Sequence, residues 1–106
     1  MDGNIKKYSY EANGVIFDLE PRLFAENLPP TKPPYVLVRF WANDKLIGSI
    51  NVVIRWDKYL KTIERPNNEE YIYDRCLEQC KEKQCGERLL ALNNPNIILT
   101  DEEFHF

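Results

Sequence analysis

The sequence predicts an α+β fold: a four- to five-stranded antiparallel sheet built from two β-hairpins, with one long helix packed on one face. Three observations carry this. Residues 5–20 alternate apolar and polar side chains around Asn13-Gly14. Residues 35–56 are dense in β-branched and aromatic residues, which suit a pleated surface. Residues 67–85 place apolar side chains at helical spacing. Consecutive hairpins argue against a parallel β-α-β arrangement.

In the first hairpin, Asn-Gly supplies the two positive-φ positions that a tight two-residue turn needs. That turn sets Tyr10 opposite Phe17 and Tyr8 opposite Leu19. Tyr8, Tyr10, Ala12, Val15, Phe17 and Leu19 then share one face. Lys7, Ser9, Glu11, Asp18 and Glu20 take the other, with Ile16 as the exception.

Residues 21–34 hold five of the seven prolines: Pro21, Pro29, Pro30, Pro33 and Pro34. Proline fixes φ and donates no hydrogen bond, so this stretch reads as a connector between the hairpins. A short helical turn fits Arg22 to Asn27, and a polyproline-like run fits Leu28 to Pro34. The functional alternative is a ligand for a proline-binding domain.

For the second hairpin, a three-residue loop at Asn43-Asp44-Lys45 pairs Ala42 with Leu46, Phe40 with Gly48, Val38 with Ile50 and Val36 with Val52. One face becomes almost wholly apolar: Val36, Val38, Phe40, Leu46, Ile50, Val52, Ile54 and Trp56. The reverse face is mixed, with Trp41 opposite Ile47 and Arg39 opposite Ser49. Residues 57–65 read either as a short helix capped by Asp57 or as irregular chain, and Arg65-Pro66 interrupts them.

The helix over 67–85 begins with Asn67 and Glu70 at capping-box spacing. Ile72, Tyr73, Cys76, Leu77 and Cys80 fall on one arc, while Asp74, Glu78, Lys81 and Glu82 lie opposite. Gly86 ends or dents the helix, Asn93-Asn94-Pro95 stops helical structure, and Asn96 to Leu99 makes a last short strand. The tail to Phe106 is acidic and aromatic.

Composition bounds the function. With 106 residues, the folded chain exposes roughly 6,200 Å² against about 18,000 Å² unfolded, enough burial for one domain's core. Nothing approaches the apolar run of a membrane-spanning helix. The first residues lack the apolar stretch of a secretory signal, so a cytoplasmic location with reduced thiols is expected. A net charge of −3 gives little drive toward nucleic acid. The charge is uneven: residues 39–65 sum to +3 and residues 69–106 to −5.

Catalytic groups are poorly supplied. His105 is the single histidine and stands next to the last residue. Ser9 and Ser49 are strand residues without a nucleophile motif, and the four glycines are isolated. The cysteines, Cys76, Cys80 and Cys85, are candidate thiol-redox groups or metal ligands. Their spacing is not that of zinc knuckles or iron–sulfur sites. Cys85 lies about 140° around a straight helix from Cys80, so it joins the other two only if the helix breaks before Gly86. The bland reading has Cys76 and Cys80 in the core and Cys85 partly exposed. No cofactor is expected.

The reverse face of the second hairpin is the candidate binding surface: Tyr35, Leu37, Arg39, Trp41, Ser49, Asn51 and Arg55. Trp, Tyr and Arg dominate binding hot spots because they bury large area with defined polar edges. A basic line of Arg55, Lys58, Lys61 and Arg65 is a second candidate, for phosphates or an acidic partner. The expected function is a non-enzymatic module binding another protein: an inhibitor, adaptor or accessory domain.

Tyr35-Val36-Leu37-Val38-Arg39, with Leu46-Ile47-Gly48-Ser49-Ile50, resembles a hairpin that precedes the catalytic domain of some family-2-type glycosyltransferases. Gly86-Glu87-Arg88-Leu89-Leu90 is similar to the end of the helix that follows it there. Lys45 stands where a proline is commoner, and the linking segment differs. The resemblance covers about half the chain and implies an accessory module. No Asp-x-Asp metal signature is present.

Overall fold

The computed structural model describes residues 8–29, 31–92 and 96–100. The elements run β1 (Tyr8–Ala12), β2 (Val15–Phe24), β3 (Tyr35–Ala42), β4 (Lys45–Val53), α1 (Trp56–Thr62), α2 (Asn68–Glu82), α3 (Cys85–Ala91) and β5 (Asn96–Thr100). The strands lie in one five-stranded sheet in sequence order, so the α+β class holds. His105, Lys7 and the Asn93-Asn94-Pro95 stop lie outside the described residues.

The sheet is mixed rather than wholly antiparallel, because β5 pairs parallel to β4. The three helices of the crossover return the chain across one face, so it re-enters the sheet in the direction of β4. No described helix is long and apolar enough to cross a membrane.

The first hairpin has the expected register, Tyr10 with Phe17 and Tyr8 with Leu19, around Asn13 and Gly14 at φ 51° and 81°. In the second, Phe40 with Gly48, Val38 with Ile50 and Val36 with Val52 pair as expected. The loop, however, has two residues, not three. Asn43 and Asp44 both take positive φ, Ala42 pairs with Lys45, and Trp41 pairs with Leu46 rather than Ile47. A bulge beside Phe40 and Trp41 absorbs the extra residue. Leu46, expected in the core, is 52% exposed there.

The proline segment departs further from expectation. Residues 21–24 form no helical turn; they continue β2, with Pro21 opposite Val38 and Phe24 opposite Tyr35. Pro21 lies past Leu19, the last β2 residue paired with the described part of β1, so its missing N–H breaks no ladder on that side. The neighbouring Leu23 N–H is satisfied from α2, donating to Tyr73 Oη at 3.0 Å. The connector is not a continuous polyproline run, since Lys32 N–H donates to the Pro29 carbonyl across a turn. Pro34 is buried, and its carbonyl accepts from Ile54 N–H. That end of the segment is spent on the core.

The long helix is two helices. Gln84 adopts a left-handed conformation, φ 53°, between α2 and α3, and Gly86 lies inside α3. The reorientation turns Cys85, Gly86 and Leu89 inward, which a straight continuation of α2 would not do. At the start of α2, Asn67 is also left-handed and makes no side-chain cap bond, so the Asn67/Glu70 capping box does not form. Asn68 instead donates through Nδ2 to the Ile63 and Arg65 carbonyls. Arg55, not Asp57, occupies the cap position of α1.

One face of the sheet and the helices bury a common core. Phe17, Val36, Val38, Phe40, Ile50 and Val52 meet Ile72, Cys76, Cys80, Cys85 and Leu89. Tyr10, Phe17 and Phe40 pack edge to face, with ring centroids 5.3–6.1 Å apart, a geometry worth about 0.5–1.5 kcal/mol per pair beyond area burial.

Candidate docking face

Alternation assigns every second residue of the five strands to the surface opposite the helices. Along β2 these are Ile16, Asp18, Glu20, Arg22 and Phe24. Along β3 they are Tyr35, Leu37, Arg39 and Trp41. Along β4 they are Ser49, Asn51 and Val53, with Asn96 and Ile98 on β5. Among the described residues no helix packs on this surface. Ile16 and Ile98 are 66% and 62% exposed, whereas the core-side residues between them are buried.

Six of the seven binding residues expected from sequence stand together here, half-buried by one another: Tyr35, Leu37, Arg39, Trp41, Ser49 and Asn51. Arg55 does not join them. It lies beyond β4, and its guanidinium holds Asp57 through two bonds, Nε to Oδ1 at 3.1 Å and Nη2 to Oδ2 at 2.8 Å.

Reading residues 21–34 as a connector hid Arg22 and Phe24, and with them the β2–β3 pairing that sets Glu20 opposite Arg39. Glu20 organises the centre of this face: its Oε1 accepts from Trp41 Nε1 at 3.0 Å and lies 3.7 Å from Arg39 Nη1. Phe24 stacks on Tyr35, with centroids 5.0 Å apart and planes within 16°. The Arg22 guanidinium lies 5.2 Å from the Phe24 ring centre. Continued alternation through Pro21 was the available signal. Toward β5, Ser49 Oγ donates to Asn96 Oδ1. Asn51 Oδ1 is buried with no hydrogen-bond partner among the described residues. On this face Ser49, Asn51 and Val53 of β4 and Asn96 and Ile98 of β5 carry no charge, while β1–β3 hold Glu11, Asp18, Glu20, Arg22 and Arg39.

The second candidate, the basic line, begins at the start of α1. Arg55 is paired with Asp57, and the Arg65 guanidinium lies 4.0 Å from the centre of the Tyr71 ring.

The cysteines gather, but inside. All three are free and buried, including Cys85, which was expected to be partly exposed. The helix break brings Cys85 to Cys80, and a hydrogen bond between their side chains, followed by burial, raises the Cys80 pKa. Burial pushes the Cys76 thiol up as well. Both stay protonated near neutrality, opposite to an activated nucleophile. Among the described residues, no group of three His, Cys, Asp or Glu side chains is placed to hold a metal ion. At the other edge, Tyr10 donates through its hydroxyl to Glu87 Oε1. Burial and this carboxylate raise the Tyr10 pKa, so the contact ties α3 to β1 with the phenol protonated.

Compared with known proteins, the chain matches no family model, no curated protein and no solved structure. Fold and surface together define an α+β protein whose sheet is roofed by helices on one side and, among the described residues, left open on the other.

Proposed function

We propose that this chain is a non-enzymatic interaction module that binds another protein through the open sheet face. The observation that carries the reading is the concentration of Trp41, Arg39, Tyr35, Phe24 and Arg22 on a surface without a described covering element. Held by Glu20 and by ring stacking, these side chains lose little further conformational freedom on docking, which lowers the cost of association. The accessory role implied by the glycosyltransferase resemblance is one form of this reading, with the catalytic domain as the partner.

The test compares affinity capture by the parent chain, by Arg39→Ala/Trp41→Ala, and by Lys81→Ala on the exposed side of α2. All three should melt alike. A partner retained by the parent and by Lys81→Ala but lost by the double variant supports the reading. Equal recovery by a folded double variant overturns it.

A further inference from the structure

We infer that the free edge of β1 takes an extended basic peptide, of pattern Lys/Arg-x-Lys/Arg, as a sixth strand of the sheet. This edge is a second docking place, separate from the open face and independent of the reading above.

The first hairpin turns through two residues, Asn13 and Gly14, both at positive φ, so its flanking pair, Ala12 with Val15, exchanges both backbone hydrogen bonds. Bonding alternates along an antiparallel pair. Tyr8, Tyr10 and Ala12 therefore direct their N–H and C=O groups to β2, and those of Ser9 and Glu11 point outward. β1 is the first strand of the sheet, and among the described residues no backbone pairs with its outward side. Native edges are commonly guarded by proline, lysine or a bulge; Tyr8–Ala12 has none of these. A groove of about 540 Å³ opens beside the strand, lined by Ser9, Tyr10, Glu11 and Ile16, with Lys81 and Glu87 from the helices. Outward donors and acceptors on alternate residues are matched by another extended backbone, which is how peptides add to a sheet edge.

Charge selects the peptide. An added antiparallel strand sets one residue opposite Glu11, the next opposite Tyr10 and the third opposite Ser9. Residues opposite one another share a face, with Cβ atoms about 5 Å apart. The first therefore meets the Glu11 carboxylate. The third lies over Ser9, small enough to be crossed, toward Asp18, the partner of Ser9 on β2. That is two strand spacings, about 9.6 Å between backbones, which a Lys or Arg side chain and an Asp span together. Glu11 and Asp18 are exposed, and among the described residues neither has an ion-pair partner, unlike Glu20. The middle residue faces the helix side, toward Lys81 and toward Glu87, which already accepts from Tyr10. Lys81 thus stands away from both basic positions, and the residue between them is uncharged.

The test titrates the full chain, labelled for amide NMR, with the acetylated and amidated probe Thr-Lys-Thr-Lys-Thr at low ionic strength, where surface charges are least screened. The amide signals of Ser9 and Glu11 should move saturably, half-way at about 1 mM or below, while that of Tyr10, already bonded to β2, moves less. The same probe with the backbone nitrogens of both lysines methylated keeps its charge but loses two N–H donors, and should not saturate. Ser9→Pro removes an outward N–H without touching the ladder to β2 and should weaken binding about tenfold or more. Glu11→Lys should weaken it about fivefold or more, because like charges then stand opposite each other. That variant should prefer the probe Thr-Glu-Thr-Lys-Thr, whose glutamate comes opposite the substituted position only in the antiparallel sense.

No saturable shift at Ser9 and Glu11 overturns the proposal. So does a methylated probe that binds as tightly as the parent peptide, which would leave charge attraction alone. Shifts confined to the open face around Arg39 and Trp41 overturn it as well. The capture comparison with Arg39→Ala/Trp41→Ala stays a separate test of the open face.

Discussion

Gly86→Ala sets two ordinary rules against each other, and the structure decides between them. Gly86 lies inside α3, where alanine is the better helix former by about 1 kcal/mol. On propensity alone the substitution stabilises. A Cβ at this position, however, would fall 2.5 Å from Cε1 of Tyr10 and 3.1 Å from Cε2 of Phe17. Ordinary contact requires about 3.4 Å or more, so the Tyr10 ring must retreat by nearly an ångström. It has little freedom to do so. Tyr10 is 6% exposed, packs edge to face with Phe17 and Phe40, and is tethered through its hydroxyl to Glu87.

Overpacking of a core costs about 1–3 kcal/mol, and loosening a hydrogen bond to a charged group adds about 1.5–3 kcal/mol. Against the helix gain of about 1 kcal/mol, the net expectation is a loss of about 1.5–5 kcal/mol. At this chain length each kcal/mol lowers Tm by about 4–8 °C. Thermal and urea unfolding followed by circular dichroism measure it. The cause is checked in a Tyr10→Leu background, where the ring is gone and Gly86→Ala should become neutral or stabilising, a coupling of more than about 1 kcal/mol. A Gly86→Ala protein as stable as the parent, or the same loss in both backgrounds, refutes the reasoning.

Gly14→Ala is the converse case: nothing lies within 4 Å of the added Cβ, but φ is +81°, so the cost of about 1–2 kcal/mol is entirely backbone and should not couple to Tyr10. Asp44→Gly, at φ 63° in the other tight turn, should stabilise by a few tenths to about 0.5 kcal/mol, because the left-handed strain relieved is partly offset by the entropy glycine adds to the unfolded chain; a lower urea midpoint contradicts this. The three buried thiols should react with an aromatic disulfide reagent only as fast as the protein opens, and all at once in denaturant; rapid labelling of one thiol in the native protein contradicts the burial. Tyr10, Cys76 and Cys80 all have raised pKa values in the fold, so above the ordinary values of 9.0 and 10.0 the unfolded chain releases protons that the folded chain retains. Stability is therefore undiminished by these groups below about pH 9 and falls as pH rises from there; a urea midpoint that is flat or rising between pH 8 and 11 refutes the assignment.

Side-chain alternation made the faces of both hairpins legible, since a one-residue slip would have put Phe17, Val38 and Phe40 into water. Asn13-Gly14 fixed the first register locally. Asn43-Asp44 makes a turn of the same kind without glycine, which is why a three-residue loop looked equally good and why the bulge beside Phe40 went unseen. The direction of β5 is not a local property at all. It follows from the preceding helices carrying the chain back along the sheet to the end where β4 begins, so that β5 runs parallel to β4.

The two larger departures share a cause. Pro21 reads as the end of a strand because proline cannot donate to a ladder, yet the rule matters only on an edge where a neighbour waits, and β1 has no described pairing past Leu19. Gln84 gives no sign of ending a helix, yet a left-handed residue there lets Cys85 and Leu89 reach the core that α2 alone could not roof. Local chemistry states what each residue tolerates; the assembled sheet decides which of those tolerances is used. The functional reading inherits the same dependence. With Pro21 taken as a breaker, Arg22 and Phe24 belonged to a connector, and the face was limited to one hairpin with an unexplained arginine and tryptophan. With β2 running through to Phe24, Glu20 becomes the group that holds both of them.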